Sequence, residues 1–149
     1  MRAVIQRVKS AQVIVNEKII GSIGFGLLVL LGISREDNCD DADYLVEKTI
    51  NLRIFDDQDG KMNRSLLDVG GEMLIVSQFT LIADCRKGRR PSFSAAAEPA
   101  EAKKLYQYFI ERVKEKGITV ATGEFQALME VGLINNGPVT ILMDSKKVF

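Results

Sequence analysis

Asn135-Asn136-Gly137-Pro138-Val139-Thr140 lies between the apolar runs Val131–Ile134 and Val139–Met143. Flanks of this kind read as two strands, with the polar Gly-Pro corner as the break between them. Proline removes a backbone donor and fixes φ, so within a sheet it belongs at strand starts, edges and bulges, and a glycine before it lets the main chain pass close to another surface. Such a corner presents backbone rather than side chains. An X-Pro bond also has a weak trans preference, roughly 0.5–1 kcal/mol, so a rigid turn can hold it cis. On local sequence alone an ordinary tight turn accounts for the same residues.

The next informative stretch is Glu72-Met73-Leu74-Ile75-Val76, which reads as a buried strand running directly into Ser77-Gln78-Phe79-Thr80-Leu81. Hydroxyls and an amide are thereby placed at a strand end. They can serve a site there, or merely satisfy backbone groups where the ladder stops. A few residues on, Arg86-Lys87-Gly88-Arg89-Arg90 puts four cations in five positions. That run suits a phosphate clamp and equally a solvated loop.

Around these segments the periodicity outlines one strand-rich α/β domain spanning residues 1–149. The stretch Ala3–Val15 lacks a clean period, but its Val and Ile content favours a long strand, turned by Asn16-Glu17-Lys18 into Ile19–Ile23. After Gly24-Phe25-Gly26, the run Leu27–Ile33 suits a strand buried on both faces. Asp40 or Asp41 can cap a helix whose inner face carries Leu45, Val46, Thr49 and Ile50. Arg53-Ile54-Phe55 suggests a short strand, and Asp56-Asp57-Gln58-Asp59-Gly60 a turn, since the full calcium-loop pattern is missing. After the strand over Glu72–Phe79, Pro99 opens a second helix, with Leu105, Tyr108, Phe109 and Val113 inward and Gly117 at its end. Thr119–Thr122, Leu128–Ile134 and Val139–Met143 complete a curved or barrel-like, mainly antiparallel sheet covered by two main helices. Gly21-Ser22-Ile23-Gly24-Phe25-Gly26 neither ends in Gly-Lys-Ser/Thr nor opens a helix, so it reads as a hairpin and not a nucleotide cradle.

Composition narrows the chemistry. Lys plus Arg and Asp plus Glu number 20 each, so overall charge does not mark a nucleic-acid binder, although the distribution is uneven. Cys39 and Cys85 have no metal-ligand spacing and suggest neither a zinc site nor a disulfide framework, which fits a reducing, cytoplasmic setting. The first residues lack a charged-then-apolar leader, and the longest apolar run, Leu27–Leu31, is too short to span a bilayer, so a soluble protein is expected. Histidine is absent. No Ser-His or Cys-His nucleophilic pair can form, and an enzyme of this composition must use perturbed carboxylates or lysines, a metal, or backbone groups acting on an already activated substrate.

Met1-Arg2-Ala3-Val4-Ile5-Gln6-Arg7-Val8, Asn51-Leu52-Arg53-Ile54-Phe55, Ser77-Gln78-Phe79-Thr80-Leu81, Lys87-Gly88-Arg89-Arg90-Pro91-Ser92-Phe93 and Asn135-Asn136-Gly137-Pro138-Val139-Thr140 together resemble the D-aminoacyl-tRNA deacylase family, in order and spacing along nearly the whole chain. The resemblance implies a homodimeric, metal- and cofactor-independent hydrolase. Its substrate would be the ester between a D-amino acid, or glycine, and the 3′ acceptor end of tRNA, with L-aminoacyl-tRNA spared. DNA and membranes are not expected partners. An aminoacyl ester is an activated acyl group, which agrees with the missing histidine.

By the same resemblance, Gly137-Pro138 forms a cis peptide whose carbonyls enter the partner subunit's active site and leave no room for an L side chain, with Asn135 and Met129 nearby. Ser77, Gln78, Phe79 and Thr80 form the facing wall, and the Phe79 and Thr80 N–H groups are candidates for an oxyanion hole. Water assisted by the substrate's 2′-hydroxyl is the favoured nucleophile, with Thr80 the alternative. Arg86, Lys87, Arg89 and Arg90, with Arg7, are expected to contact acceptor phosphates. Gln126 and Gly132 depart from the family pattern, which bears on the pocket wall near Met129. Two other readings use the same residues: a non-catalytic RNA-binding protein, and a Thr80-dependent hydrolase of small D-amino-acid esters.

Overall fold

Strand β1 (Arg2–Val15) is the spine of the fold. In the computed structural model, which describes residues 1–149, it pairs antiparallel with β2 (Lys18–Ile23), β3 (Gly26–Gly32) and β8 (Glu130–Asp144). Beyond β3, β6 (Glu72–Ser77) and β7 (Val120–Thr122) continue the sheet in parallel. The sheet is therefore mixed, its antiparallel half centred on β1. It curls until β2 approaches β7, where Gly21 passes so close that a Cβ there would lie 2.4 Å from the Thr122 carbonyl oxygen. Only glycine permits that approach, and it nearly closes a barrel.

Alternation along the strands feeds two cores. Leu27, Val29 and Leu31 of β3 and Met73 and Ile75 of β6 face helices α1 (Cys39–Asn51) and α3 (Pro99–Glu115), while Leu28, Leu74 and Val76 point into the barrel. On β1, Ala3 and Ile5 belong to the helix-covered core, but Ala11 and Val13, of the same parity, belong to the barrel interior. The switch occurs where pairing with β8 shifts register between Gln6 and Val8 and again between Val8 and Ser10. A one-residue slip moves every following side chain to the other face, which is why the sequence of β1 shows no clean period.

The helices form largely where the pattern places them. Asn38, rather than Asp40 or Asp41, caps α1: its side chain accepts from the Asp40 and Asp41 N–H groups, and Asp41 returns a bond to the Asn38 N–H. The inner face of α3 is Tyr106, Phe109, Ile110 and Val113, with Leu105 and Tyr108 only half-buried. The stripe at i, i+3, i+4 and i+7 settles on the residues that reach the sheet. The strand expected at Arg53–Phe55 is β4 (Phe55–Asp56), paired with β5 (Met62–Arg64), and a short α2 (Leu66–Val69) follows. The strand expected over Glu72–Phe79 stops at Ser77, where the chain turns into a 3₁₀ segment, Phe79–Ile82.

The Gly-Pro corner does not divide two strands. Strand β8 is continuous through it, pairing with β1 on both sides, and the register shifts absorb the corner as a bulge. Because β8 pairs only with β1, its other edge is open, and Ile134 and Leu142 are 58% and 60% exposed. No helix is long and apolar enough to cross a membrane.

Candidate active site

Where β6 ends, the Gln78 N–H donates to the Leu31 carbonyl (2.8 Å), and the chain then leaves the sheet. The Gln78 side-chain amide donates to the Thr80 hydroxyl oxygen (2.5 Å). As the first residues of the 3₁₀ segment, Phe79 and Thr80 have no intrahelical acceptor for their N–H groups, and neither donates to another group of the chain. Phe79 is 56% exposed and stacks edge-to-face on Phe93, with ring centroids 5.1 Å apart.

Ser77, Gln78 and Phe79 line one side of a cavity of about 550 Å³. The segment between β7 and β8 supplies Phe125, Gln126, Ala127 and Met129, and the first turn of α3 borders it through Pro99 and Ala102. Thr80 is exposed and is not part of the lining. No lining side chain is titratable. Tyr106 sits behind Phe125, donating its hydroxyl to the Ile75 carbonyl (2.7 Å), and burial pushes its phenol well above the usual range. The shifted carboxyls lie elsewhere, among them Asp43, held low by its bond from Arg112, and Asp84, held low by its bonds from Arg86. The cavity thus offers the Phe79 N–H, with that of Thr80 next to it in the chain, a serine hydroxyl and two carboxamides, but no acid or base. No cluster of three or more His, Cys, Asp and Glu side chains is placed to hold a metal.

The Gly137-Pro138 peptide is cis, and neither residue lines this cavity in its own chain. The corner is exposed and held from behind. Asn135 staples it, donating to the Val139 carbonyl (3.1 Å) and accepting from the Val139 N–H (2.8 Å). Arg7, expected to reach tRNA phosphates, is instead buried beneath it. Its Nε donates to the Asn136 carbonyl (2.8 Å) and its Nη1 to the Ile54 carbonyl (2.6 Å) and to Asp56 (3.2 Å). With Nε and Nη1 committed to these acceptors, Arg7 braces the corner from behind. Gly137 has φ 148°, and a Cβ on it would lie 3.3 Å from Arg7 Nη2.

The chain from β6 through Arg86–Arg90 returns beside the cavity. Asp84 and Ser92 exchange backbone bonds of 2.8 and 3.0 Å, closing the basic loop, and Phe93 then packs on Phe79 at the mouth. Arg86 is engaged with Asp84 in a fork of 2.8 and 2.7 Å. Lys87, Arg89 and Arg90 are exposed and form no ion pair.

A model of the D-Tyr-tRNA(Tyr) deacylase family matches residues 4–144. The chain belongs to this family. It is 65% identical to the D-aminoacyl-tRNA deacylase of Thermosipho melanesiensis, with both chains covered completely. Among solved structures it resembles one named c-Myc DNA Unwinding Element Binding Protein, with a TM-score of 0.91 and 40% identity over 97% of this chain and 98% of that one. Another, a probable eukaryotic D-amino acid tRNA deacylase, shares the fold with a TM-score of 0.82 at 18% identity over 95% and 97% of the chains. The protein is accordingly a hydrolase of the D-Tyr-tRNA(Tyr) deacylase family.

In this deacylase, several cavity residues carry no motif of their own. Pro99 and Ala102 read as an ordinary helix start, and Phe125 as an isolated aromatic. The run Ser94-Ala95-Ala96-Ala97 was the available signal, since small residues leave room beside a strand end, and Ala96 and Ala97 do line the cavity.

Proposed function

We propose that the protein hydrolyses the ester linking a D-amino acid to the 3′-terminal adenosine of tRNA, and likewise glycyl-tRNA mischarged on tRNA(Ala), sparing L-aminoacyl-tRNA, as a proofreading enzyme of the cytoplasm. The observation that carries this reading is the pairing of a rigid, exposed backbone corner with a cavity that has free N–H donors and no titratable side chain. In a homodimer, the Gly137-Pro138 corner of each protomer enters the other's cavity. The open edge of β8 and its exposed Ile134 and Leu142 supply a surface for that association. Fixed carbonyl oxygens can hold the α-ammonium group of the substrate and clash with a side chain of the L hand, and glycine has no side chain to exclude.

The terminal nucleoside occupies the cavity, where the exposed Phe79 offers a stacking face. The ester carbonyl lies against the Phe79 and Thr80 N–H groups. Water adds to that carbonyl as the substrate's 2′-hydroxyl accepts its proton and in concert passes its own toward the 3′-oxygen, and the two N–H groups stabilise the oxyanion. Collapse of the tetrahedral intermediate breaks the ester C–O bond and leaves that proton on the departing 3′-oxygen. Preorganised donors of this kind are each worth about 2.7–4 kcal/mol in other hydrolases. Thr80 has no base beside it, and its hydroxyl oxygen accepts from Gln78, so it positions Gln78 and does not attack.

Hydrolysis of D-tyrosyl-, L-tyrosyl- and glycyl-tRNA by the wild type and by Thr80→Val tests the reading. Loss of the D and glycyl esters with the L ester spared, and substantial activity in Thr80→Val, is the expected result. Equal cleavage of D and L esters would refute chiral selection, and complete inactivity of a folded, tRNA-binding Thr80→Val would make Thr80 the nucleophile.

A further inference from the structure

Gln126 is one of four non-glycine residues with positive φ, and the one of them that lines the cavity. The Ala127 N–H donates to the Glu124 carbonyl (3.2 Å), closing a turn in which Gln126 is the third residue, with φ 65°. That left-handed conformation favours glycine, and a β-turn with positive φ at this position normally takes Gly or Asn. A non-glycine residue held there is a reason to look for a task performed by its side chain. Gln126 lines the cavity, is exposed, and its carboxamide makes no hydrogen bond within the chain. The other lining carboxamide, Gln78, is already engaged with Thr80. Gln126 therefore supplies the one uncommitted side-chain amide in a mostly apolar cavity.

We propose that Gln126 is a substrate-binding residue whose carboxamide reads the edge of the terminal adenine. The inference rests on the placement of the terminal nucleoside in this cavity. An amide can accept from the adenine 6-amino group and donate to the adjacent ring nitrogen, the pairing by which glutamine recognises adenine elsewhere. A variable amino-acid side chain offers no such constant partner, whereas the tRNA terminus does. The left-handed backbone at Gln126 is then the cost of carrying an amide at this point of the wall.

The test uses D-tyrosyl-3′-amino-3′-deoxyadenosine, an amide that is not cleaved as an ester, and its purine counterpart lacking the 6-amino group. Binding of both to wild type, Gln126→Gly and Gln126→Ala is measured by calorimetry, alongside urea unfolding. Both variants should bind the adenosine compound about five- to a hundredfold more weakly, the worth of a two-bond amide pairing. The purine compound keeps the ring nitrogen and only one of the two bonds, so the variants should lose less affinity for it than for the adenosine compound. Gln126→Gly should be at least as stable as wild type, because glycine accepts the positive φ. Unchanged affinity in both variants, or no binding of the adenosine compound to wild type, overturns the proposal. So does an affinity loss seen with the D-tyrosyl compound but not its D-alanyl analogue, which would assign Gln126 to the amino-acid side chain. Hydrolysis of D-tyrosyl-tRNA by wild type is scored separately: analogue binding without ester hydrolysis refutes the proposed reaction and leaves the Gln126 contact standing.

Discussion

Arg7→Lys separates a strut from a phosphate contact, because it keeps the charge and removes the fork. In the native chain the buried guanidinium donates to the Asn136 carbonyl at 2.8 Å and to the Ile54 carbonyl at 2.6 Å. Charge-assisted hydrogen bonds are worth about 1.5–3 kcal/mol each. The third partner, Asp56, is half exposed and adds less than about 1 kcal/mol. A lysine can reach one of the two carbonyls and leaves the other unpaired, so a loss of about 2–3 kcal/mol is expected. For a chain of this size that lowers Tm by roughly 4–12 °C. The same loss frees Asn136, directly before Gly137, so the corner shifts and L-tyrosyl-tRNA hydrolysis rises at least about tenfold relative to D, since small misplacements in a site have such effects. Urea unfolding at matched protein concentration, with D- and L-tyrosyl-tRNA hydrolysis, reads both effects. Stability within about 0.5 kcal/mol of wild type with an unchanged D/L ratio would refute the strut. A uniform rise in KM with a shallower salt dependence would return Arg7 to the phosphate backbone.

Neutralising Arg86, Lys87, Arg89 and Arg90 together should raise KM for tRNA and flatten its salt dependence without changing the D/L ratio; adding back Arg86 alone should restore little, because Asp84 holds it. Thr49→Val should stabilise the protein by about 1 kcal/mol in urea unfolding, since the Thr49 hydroxyl is fully buried without a partner and a methyl group fits its place. At Asp41 burial pushes the carboxyl up, but the bonds from Lys146, Ser145 and the Asn38 N–H outweigh it and hold it below the usual range. A depressed folded-state value stabilises above the unfolded pKa of about 3.9 and is lost as pH falls through the folded value. Asp41→Asn should therefore be less stable than wild type at pH 7, with the difference closing below about pH 4; a constant difference across pH would contradict the ion pair.

Much of the fold is legible because local rules and tertiary packing agree. Leu27–Leu31 is apolar without alternation because β3 is buried on both faces, and Leu45, Val46, Thr49 and Ile50 share a helix face because α1 lies on the sheet. Ser65, Asp68 and Gly70 carried the cap and stop of α2, but four residues are too few for hydrophobic periodicity to show a helix. Ser77, Gln78 and Phe79 were readable as a strand end. That Gln126 and Met129 share their cavity came only through the family resemblance, because about fifty residues separate the two walls in sequence.

The sequence by itself determined the chemistry open to this protein. Without histidine it excluded Ser-His and Cys-His pairs and left perturbed carboxylates or lysines, a metal, or backbone donors acting on an activated substrate. Tertiary structure alone decided what Arg7 does. A guanidinium close to the chain start reads as one more cation, and only the pairing of β1 with β8 and the approach of the Ile54 carbonyl surround it with acceptors. It alone also decided that the Gly-Pro corner is a bulge in one strand. Both depend on partners more than forty residues away, and no local rule of propensity or spacing carries that distance.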